Sequence, residues 1–166
     1  MTASIVDTNV LIVANGDADH ASEVCVMASL QALRNVRDGG CVVIDENYEI
    51  LREYQNKVSP SGQPGPGDAF LKWVLQNQAK PEHCERVSIT PHDERGYEEF
   101  PADPALATFD PSDRKFVAAA LASRRDPTVL VALDRDWWDH HQALTRNGLR
   151  IEFLCEEIKA ARSKRF

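Results

Sequence analysis

The sequence predicts an α/β fold built on a mostly parallel sheet, and three observations carry that expectation. Five short apolar runs (Ser4–Val6, Cys41–Ile44, Arg86–Ile89, Val129–Leu133 and Arg150–Leu154) are separated by segments whose apolar residues recur at a helical period. Strands that alternate with helices imply parallel pairing through right-handed crossovers. Acidic residues follow several of the apolar runs directly, and the carboxyl ends of parallel strands are where such folds bind ligands.

The elements follow in order. Ser4–Val6 reads as the first strand. Residues 21–37 carry Val24, Met27, Ala28, Leu30 and Leu33 at helical spacing, and Gly39-Gly40 supplies the stop. Cys41–Ile44 is the second strand. Tyr48, Ile50, Leu51 and Tyr54 mark a helix that fades before Pro60. The stretch Ser59-Pro60-Ser61-Gly62-Gln63-Pro64-Gly65-Pro66-Gly67 suits no regular element and reads as an exposed loop. Residues 68–78 form a short helix with Phe70, Leu71, Val74 and Leu75 apolar, and Arg86–Ile89 is the third strand. The acidic, proline-punctuated segment from Pro91 to Pro111 is long enough for a functional or mobile loop. A helix over 111–123, a strand over 129–133, a helix over 137–146 and a strand over 150–154 complete the pattern, with a short basic helix after them. The whole chain, 1–166, reads as one domain with long loops at 58–67 and 90–109.

Composition narrows the function. With 43% hydrophobic and 27% charged residues the chain has enough apolar material for a core and is not a disordered polyelectrolyte. The longest apolar stretches are about five or six residues, too short to cross a membrane. The start, Met1-Thr2-Ala3-Ser4, runs straight into a strand without a basic segment or a signal-length apolar core, so the expected location is cytoplasmic. Cys25, Cys41, Cys84 and Cys155 are scattered, without a Cys-x-x-Cys pair. Two of them sit in apolar runs and read as small core residues in a reducing cytosol, and the spacing does not suit zinc. A formal charge of −7 argues against gripping nucleic acid by bulk electrostatics, although a carboxylate cluster awaiting metal would account for part of it. Basic residues gather at Arg124-Arg125, at Arg146 with Arg150, and at Lys159, Arg162, Lys164 and Arg165; the last group reads as a solvated helix end.

The acids are the chemically informative feature. Asp7 follows the first strand, Asp45 the second, Asp134 and Asp136 the fourth, and Asp110 and Asp113 open an alanine-rich helix. Carboxylates brought together from separate segments repel one another unless a cation lies between them. Oxygen donors of this kind suit Mg²⁺ or Mn²⁺, up to two ions, and two such ions about 4 Å apart can clamp a phosphodiester. Asp110 before Pro111 has the form of a helix N-cap with proline at the first position, leaving Asp113 in the first turn. Asp136 suits either a brace near the metal or a cap for the helix at Trp137. Thr8 and Asn9 are placed to hydrogen-bond Asp7 or a phosphate, or simply to form the turn. Trp137, Trp138, His140 and His141 read as the packing face of an amphipathic helix in preference to a base-stacking surface.

Ile5-Val6-Asp7-Thr8-Asn9-Val10-Leu11-Ile12 resembles the opening signature of the PIN domain family. Phe109-Asp110-Pro111-Ser112-Asp113-Arg114-Lys115-Phe116-Val117-Ala118-Ala119-Ala120 resembles its third acidic motif, and Leu130-Val131-Ala132-Leu133-Asp134-Arg135-Asp136-Trp137 its fourth, in family order. The resemblance implies a three-layer α/β/α sandwich with about five strands and a metal-dependent endoribonuclease whose catalytic and metal-binding residues are Asp7, Glu53, Asp113 and Asp134. Activity of that kind leaves 5′-phosphate and 3′-hydroxyl ends. The implied partners are an RNA substrate, a possible antitoxin protein and a second copy of the chain. The second acidic position is open among Glu53, which is preferred on Ile50-Leu51-Arg52-Glu53-Tyr54, Glu49 and Asp45. At 1.5 Å per helical residue Asp45 and Glu53 stand about 12 Å apart, too far to serve one metal pair together.

Two alternatives come from other classes. One is a catalytically silent PIN-like module that binds RNA or a partner. The other is a phosphotransferase, since Leu133-Asp134-Arg135-Asp136 resembles the Asp-x-Asp nucleophile of haloacid-dehalogenase-like enzymes. That motif belongs on a first strand, and here only about thirty residues follow it.

Overall fold

A computed structural model of the chain describes residues 2–160. Its centre is a five-stranded, all-parallel sheet made of β1 (Ala3–Val6), β2 (Cys41–Asp45), β3 (Cys84–Val87), β6 (Thr128–Val131) and β7 (Arg150–Phe153). The spatial order is β3-β2-β1-β6-β7. Helices α1 (Thr8–Ala14), α2 (Glu23–Gly39), α3 (Glu49–Lys57), α4 (Pro66–Asn77), α5 (Arg114–Ala122), α6 (Arg135–Asp139), α7 (His141–Arg146) and α8 (Glu157–Ala160) flank it, consistent with a three-layer α/β/α sandwich. The basic positions Arg162, Lys164 and Arg165 lie outside the described residues. Among the described residues no helix is long and apolar enough to cross a membrane.

The strand runs explain the sheet order. Every residue of β1 and β2 is buried, as required of strands covered on both faces, whereas the edge strands β3 and β7 carry residues open to solvent. Ser4, Ile5 and Val6 of β1 align with Thr128, Val129 and Leu130 of β6. From β1 the chain moves outward to β2 and β3, then returns across the sheet to β6 and β7. The order therefore reverses between β1 and β6, which opens a crevice at their carboxyl ends.

Several boundaries differ from the sequence reading for physical reasons. Helix α2 begins at Ser22, whose hydroxyl accepts from the Cys25 amide at 3.1 Å. It buries Cys25, Ser29, Ala32, Leu33 and Val36; of the stripe expected from the helical spacing Leu33 is buried and Ala28 and Leu30 are half-buried, but Val24 is 78% and Met27 59% exposed. A polar Ser29 and a cysteine on the inner face shifted the apparent apolar phase. The helix expected over 137–146 is two, α6 and α7, which meet at the non-helical His140. The helix expected from 111 begins as a 3₁₀ turn, Pro111–Asp113, with Asp110 capping it through the Ser112 amide.

The segment expected as a long loop contains an antiparallel pair, β4 (Pro91–His92) with β5 (Gly96–Tyr97), and a 3₁₀ turn at Pro104–Leu106. Arg114 organises it. The buried guanidinium donates to the carbonyls of Phe109 (2.8 Å), Ala107 (3.0 Å) and Arg95 (3.2 Å), and stacks on Phe100 at 4.7 Å. Charge-assisted bonds to several carbonyls hold the segment at the start of α5.

The cysteine reading needs correction. Cys25 and Cys155 form a disulfide, tying α2 to the stretch before α8 across 130 residues of sequence, while Cys41 and Cys84 are buried thiols. The wide spacing concealed a pair whose Cα atoms are 4.9 Å apart once folded.

Helices α1 and α4 are in close contact. Asn15 at the end of α1 accepts the Gly67 and Asp68 amides at 2.7 and 3.2 Å. A Cβ on Gly67 would stand 2.2 Å from the Leu11 carbonyl oxygen. Backbone cannot yield there as a side chain tip can. Gly67→Ala is expected to lower the urea midpoint by an amount equivalent to about 1–3 kcal/mol with the slope unchanged, checked by equilibrium denaturation.

Candidate metal centre

Three aspartates converge on the crevice between β1 and β6. Asp7 follows β1 directly and stands at the N-cap position of α1. Its side chain makes no capping bond, so the carboxylate is left for other contacts. Asp113 occupies the start of α5, also without a side-chain capping bond. Asp134 follows the β6 strand by three residues and caps α6 through the Asp136 amide at 3.3 Å. One carboxylate oxygen from each of Asp7, Asp113 and Asp134 lies within 4.8 Å of the other two. Asp7 is 2% and Asp113 5% exposed. Their Oδ2 atoms are buried and make no hydrogen bond among the described residues. A buried oxygen left without a donor is costly, and the three aspartates together form a group that could hold a metal ion.

The electrostatics agree. Burial, then the charges of Asp134 and Glu53, push the Asp7 carboxyl well above the usual carboxylate range. Burial, Asp7 and the hydrogen bond with Asp134 push Asp113 up to about 10. Burial also raises Asp134, although its bonds from Asp113 and from the Asp136 amide oppose the rise. Without a cation, carboxylates this close hold protons between them.

The surroundings fix these positions. The Asn9 side chain accepts the Leu133 amide at 2.8 Å, joining the turn after β1 to the end of β6. The buried Tyr54 hydroxyl donates to the Val6 carbonyl at 2.5 Å, immediately before Asp7. Burial, followed by the nearby Asp7 and Glu53 charges, keeps that phenol protonated far above its ordinary pKa. Asp136 is a brace: it accepts the Asp110 amide at 2.6 Å and pairs with His140 at 3.2 Å, which links the two segments that carry Asp113 and Asp134.

The three candidates for the second acid separate clearly. Asp45 is wholly buried and accepts the amides of Asn47, Glu49 and Ile50 at 3.1, 3.0 and 2.9 Å, a cap for the start of α3. Glu49 pairs with Arg52 at 2.9 Å on the outside of α3. Glu53 faces the aspartates from the rim of the cup. One of its oxygens takes the Thr8 hydroxyl, and the other the Lys115 ammonium at 2.6 Å. Thr8 thus bonds Glu53, not Asp7. Lys115 also donates to the Ser112 carbonyl.

Lys115 and Arg114 escaped the sequence reading. Both sit at the charged start of an otherwise apolar helix, where a solvated end is the ordinary expectation, yet both are buried. Trp137 and Trp138 are packing residues: Trp137 is fully buried against Phe109 at 5.1 Å, and Trp138 stacks on His141 at 4.2 Å.

Comparison with protein-family models, curated proteins and solved structures finds no match for the chain.

Two outcomes follow from the site. Asp45→Ala should cost about 2 kcal/mol or more in chemical denaturation, because three amides lose a buried acceptor, while leaving any Mn²⁺-induced rise in melting temperature intact. Asp113→Asn should do the reverse. Between about pH 4 and pH 10 the native state holds a proton on Asp113 that the unfolded chain has released, so its contribution to stability is present at acid pH and lost as pH rises. The amide removes that loss: at pH 8 the metal-free variant should melt above the metal-free parent and show no Mn²⁺ shift in calorimetry.

Proposed function

We propose that the protein is a divalent-metal-dependent nuclease of the PIN type that hydrolyses RNA phosphodiester bonds. The observation that carries this reading is the pair of buried, unpartnered oxygens on Asp7 and Asp113, directed with Asp134 into one cup at the reversal point of the sheet. All the donors are carboxylate oxygens, the preference of Mg²⁺ and Mn²⁺, and one from each aspartate lies within 4.8 Å of the other two. A bound ion of this class would supply a water of lowered pKa and positive charge beside the phosphoryl group.

The protein's own residues would do the rest. Asp7, Asp113 and Asp134 would hold the cation, and Glu53 would present Lys115 at the same rim. Asn9, Tyr54 and Asp136 would keep the three ligand-bearing segments in register. RNA as the substrate follows from the resemblance of the segments around Asp7, Asp113 and Asp134 to the PIN motifs. An antitoxin partner and a homodimer belong to the same proposal. The formal charge of −7 fits an enzyme that recruits its substrate through bound metal better than one relying on a basic surface.

The test is cleavage of a single-stranded or loop-containing RNA with Mn²⁺ or Mg²⁺. Asp7→Asn should lower the rate by two or more orders of magnitude, about 3 kcal/mol of barrier or more, with an unchanged far-ultraviolet spectrum. EDTA should stop the parent enzyme. Cleavage that survives either change would exclude the mechanism.

A further inference from the structure

The cup and its rim divide the charges unevenly. Asp7, Asp113 and Asp134 share one small space, with ligand oxygens within 4.8 Å of each other, so that one ion could be held by all three. Two ions in such a centre stand about 4 Å apart, and the second would draw on carboxylate oxygens at the rim. Among the described residues Glu53 is the preferred second acid whose charge acts on Asp7, and both its oxygens are engaged, while Asp136 is taken up by the Asp110 amide and His140. The Lys115 ammonium lies 2.6 Å from one, and the Thr8 hydroxyl bonds the other. That ammonium is itself buried in place. Its side chain is 11% exposed, Ser112 accepts a second of its N–H bonds, and its charge acts on Asp7 across the cup. A second divalent ion bound to Glu53 would have to enter beside a fixed positive charge.

We infer that Lys115 takes the place of a second metal ion. The centre holds one divalent cation in the Asp7–Asp113–Asp134 cup, and Glu53 is a positioning residue that holds the ammonium rather than a ligand. This rests on the metal-site reading above and sharpens it. Of the three ammonium N–H bonds, two have acceptors among the described residues, and the third is left to meet an oxygen of the substrate phosphate. The carboxylate that a second ion would use is then taken by an ammonium that is part of the chain. Such a centre needs one free ion to be complete, and the charge of Glu53 is spent within the protein.

The experiment is Mn²⁺ titration of the purified full-length chain by isothermal calorimetry, with electron paramagnetic resonance to detect coupled ion pairs. The parent protein should bind one ion per chain and show no Mn–Mn coupling. Glu53→Gln should still bind one, with an affinity changed less than about threefold, because it loses no ligand. Lys115→Met should bind two, since Glu53 is released and the opposing charge is gone. Two ions in the parent, loss of an ion in Glu53→Gln, or a single ion in Lys115→Met would each overturn the assignment. If Lys115→Met does not fold, the parent and Glu53→Gln decide the matter between them. Absence of saturable binding in the parent would instead remove the metal centre itself, a different failure from a count of two.

Discussion

Crowding of buried like charge governs this molecule. Three carboxylates from the ends of two adjacent strands and the start of a helix are held within 4.8 Å, two of them almost entirely out of water. Folding without a cation leaves that repulsion partly unrelieved. Retained protons relieve some of it, and the Lys115 ammonium relieves more. An arrangement that costs stability persists where the surrounding structure over-determines it. Here the overdetermination is visible in Asn9 on Leu133, in Tyr54 on Val6 and in Asp136 on Asp110, each of them a bond to a segment that carries one of the aspartates.

Three consecutive residues at the start of α5 show how compactly the task is divided. Asp113 faces the cup. Arg114 turns away to bind the carbonyls of the 95–109 segment, and Lys115 returns to Glu53 on α3. Successive helical positions project about 100° apart, so one turn can address three different neighbours. The segment 90–109 therefore has an ordered course because a buried cation gathers its carbonyls, not because it has much regular structure of its own. The same helix start thereby couples the loop, the cup and the rim.

The acids divide into two populations by what their oxygens already do. Asp45, Asp68, Asp103 and Asp110 accept backbone amides and stabilise turns or helix starts. Asp7 and Asp113 have oxygens to spare in a place where spare oxygens are expensive. That difference, rather than acidity or position after a strand, separates Asp7 and Asp113 from the structural caps, while Asp134 belongs to both populations, capping α6 and offering an oxygen to the cup. It is why Asp45, which follows its strand as neatly as Asp7 does, belongs to the scaffold.

The sequence by itself determined the α/β class, the five strands, and the three aspartates at the sheet's edge, because hydrophobic periodicity and the placement of acids after apolar runs are local properties. It also narrowed the second acid to three residues of one segment, but could not choose among them. Only the tertiary structure assigned Asp45 to a cap, turned Glu49 outward and put Glu53 against Lys115, since each outcome depends on partners distant along the chain. Lys115 lies 62 residues from Glu53, and Cys155 lies 130 from Cys25. The burial phase of α2 and the break at His140 were decided in the same way, by neighbours that pack on the helices. Local pattern specifies which elements form; where a charge ends, and whether its oxygens remain unmet, is settled by contacts that exist only after the chain has closed on itself.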